Sequence, residues 1–139
     1  MTVYLDPERE IFGQFRSMQR DGPVHMLNLV RLRDKARYSD GREATGAEAY
    51  AAYGRESAPI FHAVGGRIVW RGSFELMLIG PQDAEQWDLC FIAEYPSVDA
   101  FVSMVKNPDY QKAVIHRQAA VEDSRLIRTF PKGDANSFG

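Results

Sequence analysis

Apolar residues recur along this chain with two periods, and the changes of period mark its elements. Ile11, Phe12, Phe15 and Met18 stand at helical spacing. Asp6-Pro7 supplies a cap and a residue suited to the first helical turn, and Asp21-Gly22-Pro23 stops the helix. Val24–Leu32 (VHMLNLVRL) is apolar enough for a central strand. Residues 33–44 are charged, with a turn signal at Asp40-Gly41. Thr45-Gly46-Ala47-Glu48 has the form of a capping box and opens a second helix. Its stripe is Tyr50, Tyr53, Ile60, Phe61 and Val64; Pro59 predicts a kink, and Gly65-Gly66 ends it.

The period then falls to two. Over residues 67–79, Ile68, Trp70, Gly72 and Phe74 alternate with Arg67, Arg71, Ser73 and Glu75, which predicts a strand with one polar face. Gly80-Pro81-Gln82-Asp83 is a turn, and residues 87–95 form the return strand. Ser97 caps a third helix that buries Val98, Phe101, Val102 and Val105. Asn107-Pro108 breaks it and starts a fourth, lined by Tyr110, Ala113, Val114, Ala120 and Val121. Residues 125–130 (RLIRTF) read as a last short strand, and residues 131–139 as a mobile tail.

After the first helix the order is β-α-β-β-α-β. That order predicts a ferredoxin-like α+β sandwich: four antiparallel strands with both crossover helices on one face. The chain reads as one domain, 1–139, with residues 1–22 as an N-terminal helical extension. Leu27, Leu29, Phe91, Ile92 and Leu126 leave neither sheet face suited to water. A second copy is the economical cover, so a homodimer closed into a dimeric α/β barrel is expected.

Composition narrows the partners. Of 139 residues, 45% are hydrophobic and 26% charged, enough for a real core. A net charge of −2 gives no basic excess for nucleic acid. Apolar runs reach five residues, against the roughly 18 needed to span a membrane. The start has no cationic segment followed by an apolar one, so a cytoplasmic location is expected. The single Cys90 excludes an internal disulfide and a Cys-based zinc cluster, and reads as a buried, inert thiol. His25, His62 and His116 lack metal-ligand spacing, and neither a phosphate-cradling glycine loop nor a GxSxG elbow occurs. Neither metal nor cofactor is expected.

The segments YAAYGRESAPIFHAVGGRIVWRG, YPSVDAF, NPDYQKA and HRQAAVEDSRLI resemble a domain-of-unknown-function family, number thirteen-thirty, of the dimeric α/β-barrel, ferredoxin-like superfamily. The resemblance covers residues 24–130. It implies a dimeric barrel with a pocket between sheet and helices. Superfamily relatives include cofactor-independent monooxygenases and regulatory ligand-binding dimers. The helix before Asp21, the long 33–44 connection and Ser73 in place of a second glycine depart from the family's short form.

Five residues are candidates for chemistry. Asn28 lies mid-strand among apolar neighbours, and burying its amide unpartnered costs about 1–3 kcal/mol. Its partner is either sheet backbone or a ligand. Arg117 falls on the apolar stripe of its helix, so it snorkels, pairs with Glu94 or Glu122, or holds an anion. His116 is a general base if a substrate proton lies within reach, and an edge residue otherwise. Tyr53 and Trp70 either pack the core or shape a cavity. Arg71, with Arg67 and Glu75, reads as a solvated or subunit-facing row. Together they support a cofactor-independent monooxygenase- or isomerase-type enzyme acting on a small anionic or aromatic ligand. The alternative is a non-catalytic homodimer that binds a ligand or another protein.

Overall fold

The structure is a computed structural model that describes residues 2–133 and 136–139. Its elements in order are α1 (Arg9–Ser17), β1 (Val24–Leu32), α2 (Gly46–Ala63), β2 (Arg67–Ser73), β3 (Leu89–Tyr95), α3 (Val98–Lys106), α4 (Pro108–Ala120) and β4 (Val121–Thr129). The strands form one antiparallel sheet in the order β2-β3-β1-β4. This is the ferredoxin-like α+β sandwich, with α1 added.

Local chemistry sets the helix ends. Thr45 accepts from the Glu48 amide, and the Glu48 carboxylate accepts from the Thr45 amide, closing the capping box of α2. Ser97 accepts from Ala100 N at 3.1 Å, and Asn107 from Asp109 N at 2.8 Å. Arg33 reaches the C-terminal carbonyls of α4 at Gln118 and Ala119, where a cation also suits the helix dipole.

The core lies between the sheet and the helices in two clusters. Val24, Met26, Ala93, Tyr95, Val98, Phe101, Met104 and Tyr110 form the larger. Val30, Ala49, Ala120 and Val121 form the smaller. Side chains alternate across a strand, so the paired residues Val24/Tyr95, Met26/Ala93, Asn28/Phe91 and Val30/Leu89 all face the helices.

Four expectations are corrected. First, α1 begins at Arg9, not at Asp6-Pro7, and Glu8 makes no capping bond. Residues before it instead run along the start of β4: Tyr4 N donates to Asp123 Oδ1 at 2.9 Å, and Ser124 Oγ donates to Tyr4 O at 2.7 Å. Second, β4 starts at Val121, so Val121 belongs to a strand and not to the stripe of α4. Asp123 and Ser124 precede the expected strand start at residue 125, and both are buried because their side chains satisfy the N-terminal segment and Arg125. Third, β2 stops at Ser73, six residues short of the expected end. Residues 74–88 form an irregular connection in which Leu76, Leu78 and Ile79 are exposed. Trp87, expected to begin the return strand, is buried in that connection near the Arg31 and Arg125 guanidiniums. Fourth, the register of β2 shifts between Ile68 and Trp70, and the face assignments on either side of this bulge change over. The tail expected to be mobile includes residues 134 and 135, which lie outside the described residues.

Candidate functional site

The helix-facing side of the sheet is a floor of three rows, read from the strand register. Ile68, Ala93, Met26 and Arg128 make one row across β2, β3, β1 and β4. Arg71, Phe91, Asn28 and Leu126 make the next, and Ser73, Leu89, Val30 and Ser124 the third. Asn28 therefore sits mid-floor between Phe91 and Leu126. The roof comes from two helices. Tyr50, Tyr53, Gly54, Ser57, Phe61 and His62 share one stripe of α2 at i, i+3, i+4, i+7, i+11 and i+12. Tyr110, Gln111, Val114, Arg117 and Gln118 share the matching stripe of α4. Ile11, Phe12 and Phe15 of α1 and Met18 just after it close one side.

Between floor and roof lies a cleft of about 1730 Å³. That exceeds the roughly 300–1,000 Å³ of ordinary small-molecule pockets. Its lining is mainly apolar and aromatic, with polar groups at separate points. The Asn28 amide nitrogen donates to the carbonyl of Met26 at 3.0 Å. Its side-chain oxygen accepts no hydrogen bond among the described residues, and the residue lines the cleft. The Tyr53 and Tyr110 hydroxyls are 2.8 Å apart, and Tyr50 packs on Tyr53 with ring centroids 5.5 Å apart. Burial pushes the pKa of Tyr50, Tyr53, Tyr95 and Tyr110 above the ordinary phenol value, so all four stay neutral donors.

Arg117 has no carboxylate partner among the described residues. One terminal nitrogen donates to the carbonyl of Leu5, and the other to Ser124 Oγ at 3.2 Å. The partners expected for it are engaged elsewhere. Glu94 holds His25 at 2.7 Å and Arg67 at 2.8 Å on the opposite sheet face, and Glu122 faces Arg33 at 3.4 Å. Arg71 and Arg128 also line the cleft without an ion pair among the described residues. Arg128 donates to the carbonyls of Phe15 and Met18, and burial, with Arg20 nearby, lowers its pKa from the usual arginine value. The cleft's carboxylates, Asp6 and Glu8, sit on its N-terminal rim.

Of the five candidates, the structure brings Asn28, Tyr53 and Arg117 together and separates the other two. His116 lies off the cleft-lining stripe of α4. Its Nδ1 meets the Tyr38 hydroxyl at 2.6 Å and its Nε2 meets the Glu56 carboxylate at 2.7 Å. It staples the 33–44 connection to α2 and α4. Trp70 lies on the opposite sheet face, packed on Gly72 and half exposed. The bulge in β2 is the reason: it turns Trp70 away and brings Arg71 onto the floor beside Phe91. Arg71, Arg128 and Tyr110 are lining residues that sequence reasoning did not propose for the site. Nothing in the alternation of residues 67–79 signals the bulge. Tyr110 is legible only as part of a core stripe, and Tyr50, three residues from Tyr53, as core packing whose hydroxyl can reach a cavity.

A domain of unknown function, DUF1330, matches residues 41–130 of the chain, more than half its length. The chain belongs to the DUF1330 family. The matched span includes Tyr53, Arg71 and Arg117, and leaves out α1 and the Asn28 strand. Among solved structures, the chain is similar to RPA0582, a protein of unknown function from Rhodopseudomonas palustris. The two are 65% identical over 96% of this chain and 100% of that one, with a TM-score of 0.92. That coverage leaves too few residues over for α1 to be peculiar to this DUF1330 protein. It is also similar to SnoaB, a cofactor-independent oxygenase from Streptomyces nogalater, at 16% identity over 84% of this chain and 99% of that one, TM-score 0.53. A putative antibiotic biosynthesis monooxygenase from Bacteroides thetaiotaomicron is 12% identical over 85% of this chain and 97% of that one, TM-score 0.52. The last two likenesses are likenesses of fold. No curated protein matches the chain.

Proposed function

We propose that this DUF1330 protein is a homodimer that binds a small molecule in the sheet–helix cleft, and that the ligand joins an acidic group to an apolar, preferably aromatic, body. The observation that carries this reading is Arg117: a guanidinium on an apolar helix stripe, beside three neutral tyrosines, with no carboxylate partner among the described residues. A partly buried cation without a counter-ion loses hydration that nothing charged replaces, and an anionic ligand supplies the missing charge. An ionised acid also makes hydrogen bonds roughly twice as strong as a neutral acceptor does. Phe91, Leu126 and Val114 offer the ligand's body an apolar bed, and the Asn28 side-chain oxygen accepts from a donor on it.

The homodimer rests on the other sheet face. There Trp70, Ile92, Leu27 and Ile127 form one row across all four strands, with Trp70 52% and Ile127 44% exposed. A second sheet packed on this row would remove it from water.

The non-catalytic reading is favoured over the enzymatic one by the position of His116, the residue cast as base, outside the cleft. Cofactor-independent oxygenation, the activity named for SnoaB, would here have to draw a base from His62 at the cleft wall or from Asp6 or Glu8 on its rim.

The test is a fluorescence titration with two probes that share an aromatic frame: 1-anilinonaphthalene-8-sulfonate and the neutral N-phenyl-1-naphthylamine. The sulfonate is expected to bind at least about tenfold tighter, roughly 1.4 kcal/mol. Arg117→Met is expected to abolish that preference while leaving the neutral probe's affinity in place. Equal affinities in the wild type, or a preference that survives Arg117→Met, would rule out Arg117 as the acid-binding group.

A further inference from the structure

Two of the cleft's arginines are also the two pins of the N-terminal segment. At one end Arg117 donates to the carbonyl of Leu5, and Ser124, which accepts from Arg117, donates in turn to the carbonyl of Tyr4 at 2.7 Å. Tyr4 N completes this end on Asp123. At the other end Arg128 donates to the carbonyls of Phe15 at 3.1 Å and Met18 at 2.6 Å. Between the pins runs α1, a helix with no buried residue. Phe12 and Phe15 are its partly buried contacts with the core, and Phe15 packs on Phe101 at 4.9 Å. The segment is thus held by side-chain bonds to backbone carbonyls, by Leu5 against the smaller core cluster and by Phe12 and Phe15 against the larger. It is not part of the β4 ladder, and it shields one side of the cleft.

We infer that residues 2–20 form a ligand-gated lid, in which an acidic group entering the cleft takes over the Arg117 donors that now hold Leu5 and Ser124. This rests on the anion-binding reading of the cleft and adds its regulation. The exchange is favourable in direction because a charged acceptor outcompetes a neutral carbonyl and hydroxyl for the same guanidinium. Both terminal nitrogens of Arg117 already have a partner, and a two-pronged grip on an acid draws on them. Coupling of this kind is reciprocal: what loosens the lid must tighten the anion, and the anion must loosen the lid. A neutral ligand of the same shape has no claim on Arg117 and leaves the lid in place.

Hydrogen–deuterium exchange of the peptide covering residues 2–20, with each of the two naphthyl probes at saturation, tests the gate. The sulfonate is expected to speed amide exchange in residues 3–8 at least fivefold, and the neutral probe to leave it unchanged. Ser124→Ala breaks the Tyr4 anchor and leaves the cation in place. It is expected to tighten the sulfonate severalfold and not the neutral probe. If the sulfonate binds through Arg117 while exchange in residues 3–8 is unchanged or slowed, the gate is overturned and the binding reading stands. If Ser124→Ala leaves sulfonate affinity unchanged or weakens it, the gate is likewise overturned. If the sulfonate shows no dependence on Arg117, both fall together.

Discussion

At the scale of the residue, neighbours in sequence part company. His116 and Arg117 are adjacent, yet a turn of about 100° per residue sends one to a Tyr38–His116–Glu56 staple and the other to the cleft. His116→Ala should therefore cost stability and not binding. Loss of both bonds, with the Tyr38 hydroxyl left without its partner, is expected to destabilise by about 2 kcal/mol in urea unfolding. Sulfonate-probe affinity should change less than about twofold; a large loss of affinity would return His116 to the site. Glu94 behaves differently. The Arg67 guanidinium first, and His25 second, hold its carboxyl below the usual carboxylate range. Its contribution is thus fully present above the ordinary glutamate value, about 4.3, and is lost as pH falls through the depressed folded-state value. The stability gap between wild type and Glu94→Gln should close as pH falls below about 4. A gap that persists undiminished under stronger acid contradicts the pairing.

At the scale of the element, local signals set the starts of α2, α3 and α4 well, and the start of α1 and the strand ends poorly. The capping box at Thr45, the Ser97 cap and the Asn107-Pro108 break each act through bonds within a few residues, and each appears where the sequence puts it. The start of β4 and the bulge in β2 depend on partners far along the chain. Asp123 is buried because Tyr4 comes to it, across 119 positions. One glycine shows how tightly an element can be set by a distant neighbour. A Cβ on Gly46 would lie 1.8 Å from the carbonyl oxygen of Arg33, and backbone cannot swing aside as a flexible side chain does. Gly46→Ala is expected to cost about 3 kcal/mol or more, whereas Thr45→Ala, which removes one cap, should cost about 1 kcal/mol. Thermal unfolding of the two variants checks the order. Equal costs would mean that α2 can slide away from the 33–44 connection.

At the scale of the whole molecule, the sheet separates two tasks: one face floors the cleft, and the other carries the Trp70–Ile92–Leu27–Ile127 row proposed as the subunit contact. Ile127→Glu puts a charge in that row without touching the cleft. Light scattering at micromolar concentration should show a dimer for the wild type and a monomer, with a lower Tm, for the variant. A wild type that is monomeric there removes the barrel. The element order, the βαββαβ topology and the apolar character of both sheet faces follow from the sequence by itself, because periodicity and capping are properties of short stretches of chain. Asn28 and Arg117 stood out in the sequence as well, since a polar group at an apolar position needs a partner wherever the fold puts it. The tertiary structure alone decided which partner. It spent Glu94 and Glu122 on other cations, turned Trp70 away through a bulge, moved His116 off the stripe and laid the N-terminal segment across Arg117. Those outcomes depend on the register of strands and the meeting of distant segments, and no local pattern encodes either.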